Sequence, residues 1–164
     1  QLAKTGMLRS AHMLGNEEEI IFAATDLLAD TKLAPELSNE AHYYRAKAYL
    51  DAGKTDGAME DLKVLAKDTR NVYGAEAKYK VAQIYFDGGQ TDKAEQEVLN
   101  YIEVSTPHTY WLARSFVLLA DVYMKLGRNL DAKQYLLSLK QNYQADDDIA
   151  GMIESRLEKL KTEN

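Results

Sequence analysis

Three histidines, His12, His42 and His108, and the run Asp146-Asp147-Asp148 are the residues whose types could carry chemistry in this chain. Imidazole exchanges a proton near neutral pH and is a common metal ligand. Neither use is supported by the spacing: no HExxH and no other ligand pair is present. His42 falls at a helix-interior packing position and reads as a structural histidine. His108 follows Pro107, in what the sequence predicts to be an exposed first helical turn. A calcium loop of the EF-hand type needs oxygen ligands at alternating positions, a central glycine and a distal glutamate. Ile149 and Ala150 break that order, so the aspartates are expected to cap a helix and oppose its dipole. The absence of cysteine excludes disulfides, thiolate metal sites and a cysteine nucleophile. There is no phosphate-binding glycine loop and no GxSxG elbow. The expectation is a chain with no catalytic residues, no cofactor and no metal, not an enzyme. His12, His42 and Asp121 are the least implausible members of any hidden active site.

Composition narrows the partners. With 46% hydrophobic and 28% charged residues the chain is globular rather than disordered. A formal charge of -6 argues against a phosphate backbone as ligand, so no nucleic-acid partner is expected, and against adsorption on an anionic membrane. No apolar run approaches the roughly 18–20 residues that a bilayer requires, so no direct membrane insertion is expected. The chain opens Gln1-Leu2-Ala3-Lys4 and enters helical pattern at once, which reads as the C-terminal part of a longer protein.

Behind these residues lies a repeat. Gly15, Gly53, Gly89 and Gly127 recur at intervals of 38, 36 and 38 residues. Around the last three, a tyrosine stands four residues before the glycine (Tyr49, Tyr85, Tyr123) and an alanine seven before (Ala46, Ala82, Ala120). Another alanine stands five after (Ala58, Ala94, Ala132). The glycine can take the left-handed conformation that closes a helix. Thr55, Thr91 and Asn129 are candidate N-caps for the next helix. Small alanines let paired helices approach. The tyrosine, one turn from its alanine on the same face, is expected in the core. Each pair leaves an apolar face for its neighbour to cover.

This constellation resembles the tetratricopeptide repeat, in Ala46, Tyr49, Gly53 and Ala58 and their counterparts in the next two copies. The resemblance implies an all-α fold: a right-handed α-α superhelix of about four helix pairs plus a C-terminal capping helix. One solenoid domain, 1–164, would comprise repeats near 1–38, 39–74, 75–112 and 113–145, with the cap at 146–164. The chain departs from the family in its longer period and in lacking the early tryptophan, whose places hold His42, Lys78 and Phe116. In the first repeat Leu8, Ala11, Gly15 and Ile20 replace the usual residues. The segment from Tyr110 to Tyr123 is also similar to C-terminal repeats of large bacterial envelope tetratricopeptide proteins, notably from Bacteroidetes. That would imply a periplasmic or outer-membrane setting and a role in assembly.

Helices are predicted near 2–14, 17–30, 37–52, 55–68, 73–88, 91–104, 107–126, 130–143 and 147–161. Pro107 is expected at a first helical position, and Pro35 within a linker from Thr31 to Asn39. In the last helix Ile149, Met152, Ile153, Leu157 and Leu160 form one stripe, with Glu154, Arg156, Glu158 and Lys161 on the other side.

In the resembled family the first helix of each pair lines a concave groove. Mapping by the repeat assigns a partner-binding groove to Tyr43, Lys47 and Asp51, to Tyr79, Gln83 and Asp87, and to Arg114, Val117 and Asp121. Leu50, Phe86, Met124 and Lys125 lie at neighbouring positions. Tyr43 and Tyr79 could be groove anchors or be covered by stacking. The lysine–asparagine carboxylate clamp of chaperone-binding members is not present as a set. The function expected is a non-catalytic scaffold that binds a peptide or partner protein in the groove. The alternative is a structural spacer or a module that self-associates through its uncapped N-terminal helix.

Overall fold

The computed structural model describes residues 1–162; Glu163 and Asn164, the end of the expected cap segment, lie outside the described residues. Nine helices and no strand occur among the described residues. By its internal contacts the chain divides into two compact units, Gln1–Lys78 and the part from Tyr79 onward.

The first unit holds α1 (Leu2–Leu14), α2 (Glu17–Leu28), α3 (Pro35–Asp51), α4 (Thr55–Leu65) and the opening of α5 (Val72–Asp87). α1 packs on α2, α2 on α3 and α3 on α4. Leu8, Ala11, Ile20, Ala23, Ala24 and Leu27 meet Ala41 and Ala48 in a continuous apolar core. Leu8 is fully buried, and burial of a leucine side chain contributes about 1.5–3 kcal/mol. The degenerate first repeat thus packs with larger residues where later copies use alanine.

The second unit holds the remainder of α5, then α6 (Thr91–Val104), α7 (Thr109–Lys125), α8 (Asn129–Asn142) and α9 (Ile149–Thr162). α6 packs on α7, α7 on α8 and α8 on α9, and α9 returns to touch α7. Ile149, Ile153 and Leu160 seal the apolar face that α7 and α8 leave open.

The repeat physics holds at the alanines. Ala46, Ala82, Ala120, Ala58, Ala94 and Ala132 are all buried. The tyrosines divide: Tyr123 is buried, whereas Tyr49 and Tyr85 are half-buried, not core as the repeat led one to expect. Tyr49 lies flat against α4, where a Cβ on Gly57 would sit 3.1 Å from its ring.

The helix-joining turns correct a second expectation. Gly53, Gly89 and Gly127 adopt φ of 74°, 78° and 75°. The following residue donates its N–H to the repeat tyrosine's carbonyl: Lys54 to Tyr49, Gln90 to Tyr85 and Arg128 to Tyr123, at 2.7, 2.8 and 2.7 Å. The same three residues accept the first bond of the next helix through their own carbonyls, from Ala58, Ala94 and Ala132. Thr55, Thr91 and Asn129 are therefore first helical residues, not N-caps, and Lys54, Gln90 and Arg128 make no side-chain cap. Their ψ of 63–69° departs from the extended backbone that side-chain capping requires. The side-chain mode appears at other helix starts: Asn16, at ψ 101°, accepts from the Glu19 N–H at 3.1 Å ahead of α2, and Asn71 accepts from the Tyr73 N–H at 2.8 Å ahead of α5.

Two boundaries also move. Pro35 is the first residue of α3, not part of a linker, as suits a residue with no N–H to place. Pro107 precedes α7 by two residues. The Thr106 hydroxyl takes the His108 N–H at 3.1 Å, which holds the chain in a turn until Thr109. His108 is thereby the half-buried N-cap residue rather than an exposed first-turn side chain.

Candidate functional site

The expected groove residues lie on α3, α5 and α7. In the first unit, Tyr43 is half-buried. Its hydroxyl donates to the Glu76 carboxylate at 3.0 and 3.2 Å, its ring stacks on Tyr73 at 4.4 Å, and the Lys47 ammonium lies over it at 5.2 Å. Burial, and then the Glu76 charge, push the Tyr43 phenol well above its ordinary value, so it stays a neutral donor. Tyr43 is a packed, hydrogen-bonded ring with one edge exposed. Asp51 is exposed at the end of α3.

The unit's largest polar investment lies elsewhere. Asp61 of α4 is 1% exposed. It accepts a two-point contact from Arg45, at 2.9 and 2.7 Å, and a bond from His42 Nδ1 at 2.7 Å. Burial pushes the Asp61 carboxyl up, but the hydrogen bonds from His42 and Arg45 outweigh it and hold the group below its usual value. His42 is structural, as its position indicated. Its partner stands 19 residues away on the paired helix and carries no motif of its own. A buried carboxylate held by a guanidinium and an imidazole offers no nucleophile and no open position.

In the second unit, Tyr79 is 6% exposed, covered by Trp111 at 5.7 Å and by the Arg114 guanidinium at 5.0 Å. Its hydroxyl donates to Gln83 Oε1 at 2.9 Å and accepts from Arg114 at 3.1 Å. Gln83 passes the chain on to Asp87 at 2.8 Å. Arg114 also donates to Tyr110, whose hydroxyl donates to Asp148. The aspartate run therefore does more than cap. Asp147 takes the Ile149 N–H at 2.9 Å, while Asp148 anchors the first turn of α7. Val117, mapped to the groove, is 2% exposed and belongs to the core, where it packs with other apolar residues of the second unit.

Asp121 faces α9. It receives a two-point contact from Arg156, at 2.7 and 2.9 Å. Arg156 was expected on the solvent side of α9. An acidic residue within the apolar run of α7 was the one signal that it needed a cation. Around this pair opens a depression of about 730 Å³, lined by Phe86, Asp121, Met124, Lys125, Ser155, Arg156 and Lys159. Arg156 and Asp121 neutralise each other. Lys125 and Lys159 make no ion pair among the described residues. The depression therefore has an apolar wall from Phe86 and Met124 and two uncompensated cations, in a chain of net charge -6. Ser155, Arg156 and Lys159 were missed because α9 lies outside the repeat, so no register pointed to them.

Among the described residues no three acidic or histidine side chains gather closely enough to hold a metal, and no helix is long and apolar enough to cross a membrane.

Residues 40–68 and 113–141 each match a family model of the tetratricopeptide repeat. The chain carries tetratricopeptide repeats. The crystal structure of MamA is similar over 96% of this chain and 96% of its own, with a TM-score of 0.63 at 21% identity. Two crystal structures of a putative kinesin light chain from Podosopora anserina, with nearly identical tetratricopeptide-like repeats, give TM-scores of 0.62 and 0.60. Their identities are 16% and 15%, and each alignment covers 98% of this chain and 92% of theirs. At such identities the likeness is one of fold. No curated protein matches the sequence. Tetratricopeptide repeats and this all-α fold suggest a protein–protein interaction scaffold.

Proposed function

We propose that the chain is a non-catalytic interaction module that receives a peptide at the α7–α9 depression of its second unit. The carrying observation is the pairing of an apolar wall, Phe86 and Met124, with the two unpaired ammonium groups of Lys125 and Lys159. This favours a segment with an apolar anchor beside acidic residues. The Arg156–Asp121 pair fixes the distance between α7 and α9 and so keeps the depression open before a ligand arrives, which lowers the ordering cost of binding. A role in bacterial envelope assembly rests on the resemblance of the Tyr110–Tyr123 segment and is proposed only with it.

Anisotropy of labelled peptides tests the reading. A peptide with a leucine flanked by glutamates should bind with an affinity that falls as salt rises. Lys125→Glu with Lys159→Glu should weaken it at least about tenfold, or ~1.4 kcal/mol. Binding of the glutamate-flanked peptide that is insensitive to salt, or no effect of the double substitution on it, would remove the proposal.

A further inference from the structure

The opposite end of the chain carries a second unassigned surface. α1 and α2 bury one side in the first unit's core, yet their other side is apolar and open. Phe22 is 70% exposed, Leu14 80% and Met7 58%. These three wall a groove of about 770 Å³ whose floor is formed by the small residues Ala3, Gly6 and Ser10 of α1. Positions 3, 6 and 10 follow helical spacing, so the floor runs as a shallow channel along α1. A channel of small residues between bulky walls admits another helix at close range. Methionine at such a wall can adapt to the side chains it meets.

The rim decides what kind of helix. Glu18 and Glu19 line the groove from the first turn of α2. Neither makes an ion pair among the described residues. The cations of α1 are committed elsewhere: Arg9 to Glu40 at 2.8 Å and Lys4 to Asp26 at 3.5 Å. A second copy of the chain docked face to face would bring two more carboxylates and no uncommitted α1 cation into the seam, in a molecule already carrying -6. A partner with basic residues beside its apolar stripe would meet them with opposite charge. We infer that the α1–α2 face is a docking site for an amphipathic helix of another protein, apolar on its inner stripe and lysine- or arginine-rich along the edge that meets Glu18 and Glu19.

The probe is a labelled 18-residue helical peptide with a leucine stripe flanked by lysines, compared with the same stripe flanked by glutamates. With the α7–α9 depression silenced by Lys125→Glu and Lys159→Glu, the chain should bind the lysine peptide and discriminate at least about tenfold against the glutamate peptide. Phe22→Asp should abolish binding; because that ring is largely exposed, its urea midpoint should stay that of the unaltered chain. Glu18→Lys with Glu19→Lys should reverse the preference between the peptides. The lysine peptide should bind the Lys125→Glu, Lys159→Glu chain and the unaltered chain alike, which separates this site from the α7–α9 depression. Equal affinity for both peptides, or binding of neither, would overturn the inference. So would concentration-dependent dimerisation in light scattering that Phe22→Asp abolishes, since the occupant would then be a second copy.

Discussion

Replacing Asp61 with alanine would strand two basic groups inside the first unit. The carboxylate side chain is 2% exposed, and its partners Arg45 and His42 are 19% and 16% exposed, so water cannot readily take its place. Breaking a buried ion pair by removing one partner costs about 3–5 kcal/mol. The lower end applies here, because Arg45 keeps a bond to Thr25 at 3.0 Å and can turn toward solvent. With a urea dependence of about 2 kcal/mol per molar, a loss of ~3 kcal/mol lowers the unfolding midpoint by roughly 1.5 M. Circular dichroism at 222 nm during urea titration reads this directly. The cluster also fixes an acid limb. The folded carboxyl lies below the unfolded value of about 3.9. Its stabilisation is therefore complete above that pH and fades as pH falls through the folded value. Asp61→Asn should flatten the midpoint between pH 5 and pH 3 relative to the unaltered chain. A midpoint shift under about 0.5 M for Asp61→Ala would mean that the cluster behaves as an exposed pair, and the reasoning would fail.

Gly74→Ala should be severe, at about 3 kcal/mol or more of strain, since its Cβ would lie 1.9 Å from the Asp68 carbonyl oxygen; Gly151→Ala meets nothing within 4 Å and should stabilise α9 by about 0.5–1 kcal/mol. Thermal unfolding of the two variants checks both signs. Ala94→Trp should cost about 1–3 kcal/mol through overpacking, because Ala94 has no exposed surface; Glu95→Trp, at a half-buried site, should be milder, and equal midpoints would contradict the register. At high pH, burial and then Glu95 hold the Tyr123 phenol at about 12. A folded value above the unfolded one of about 10 means stability that is intact below pH 10 and is lost as pH rises toward 12. Tyrosinate absorbance at 295 nm should therefore rise together with unfolding for Tyr123, and Tyr123→Phe should delay the alkaline transition.

The helical plan was legible because it depends on residues whose physics is local. A left-handed turn demands glycine, and close helix approach demands alanine, so Gly53, Gly89, Gly127 and the six alanines mark the pairs in one dimension. What escaped the sequence depends on long-range geometry. Asp61 reads as one more acidic residue of an amphipathic helix until α3 brings Arg45 and His42 onto it. Arg156 falls on the polar side of a helical wheel, yet α9 packs back on α7 and brings it onto Asp121. Val117 matches the groove register, but it packs into the apolar core of the second unit, which no local pattern distinguishes from a groove position. Thr55, Thr91 and Asn129 have the composition of caps, and the backbone of the preceding residue had already done that job.

That last arrangement has a consequence for how such a chain can change its length. A single residue, Lys54, Gln90 or Arg128, closes one rod through its N–H while it starts the next through its carbonyl. An inserted residue there would unseat both at once. The stretches between pairs, 29–34, 66–71, 105–108 and 143–148, share no such double duty. Growth and trimming of the array should accordingly be found at those joints, with each hairpin inherited whole.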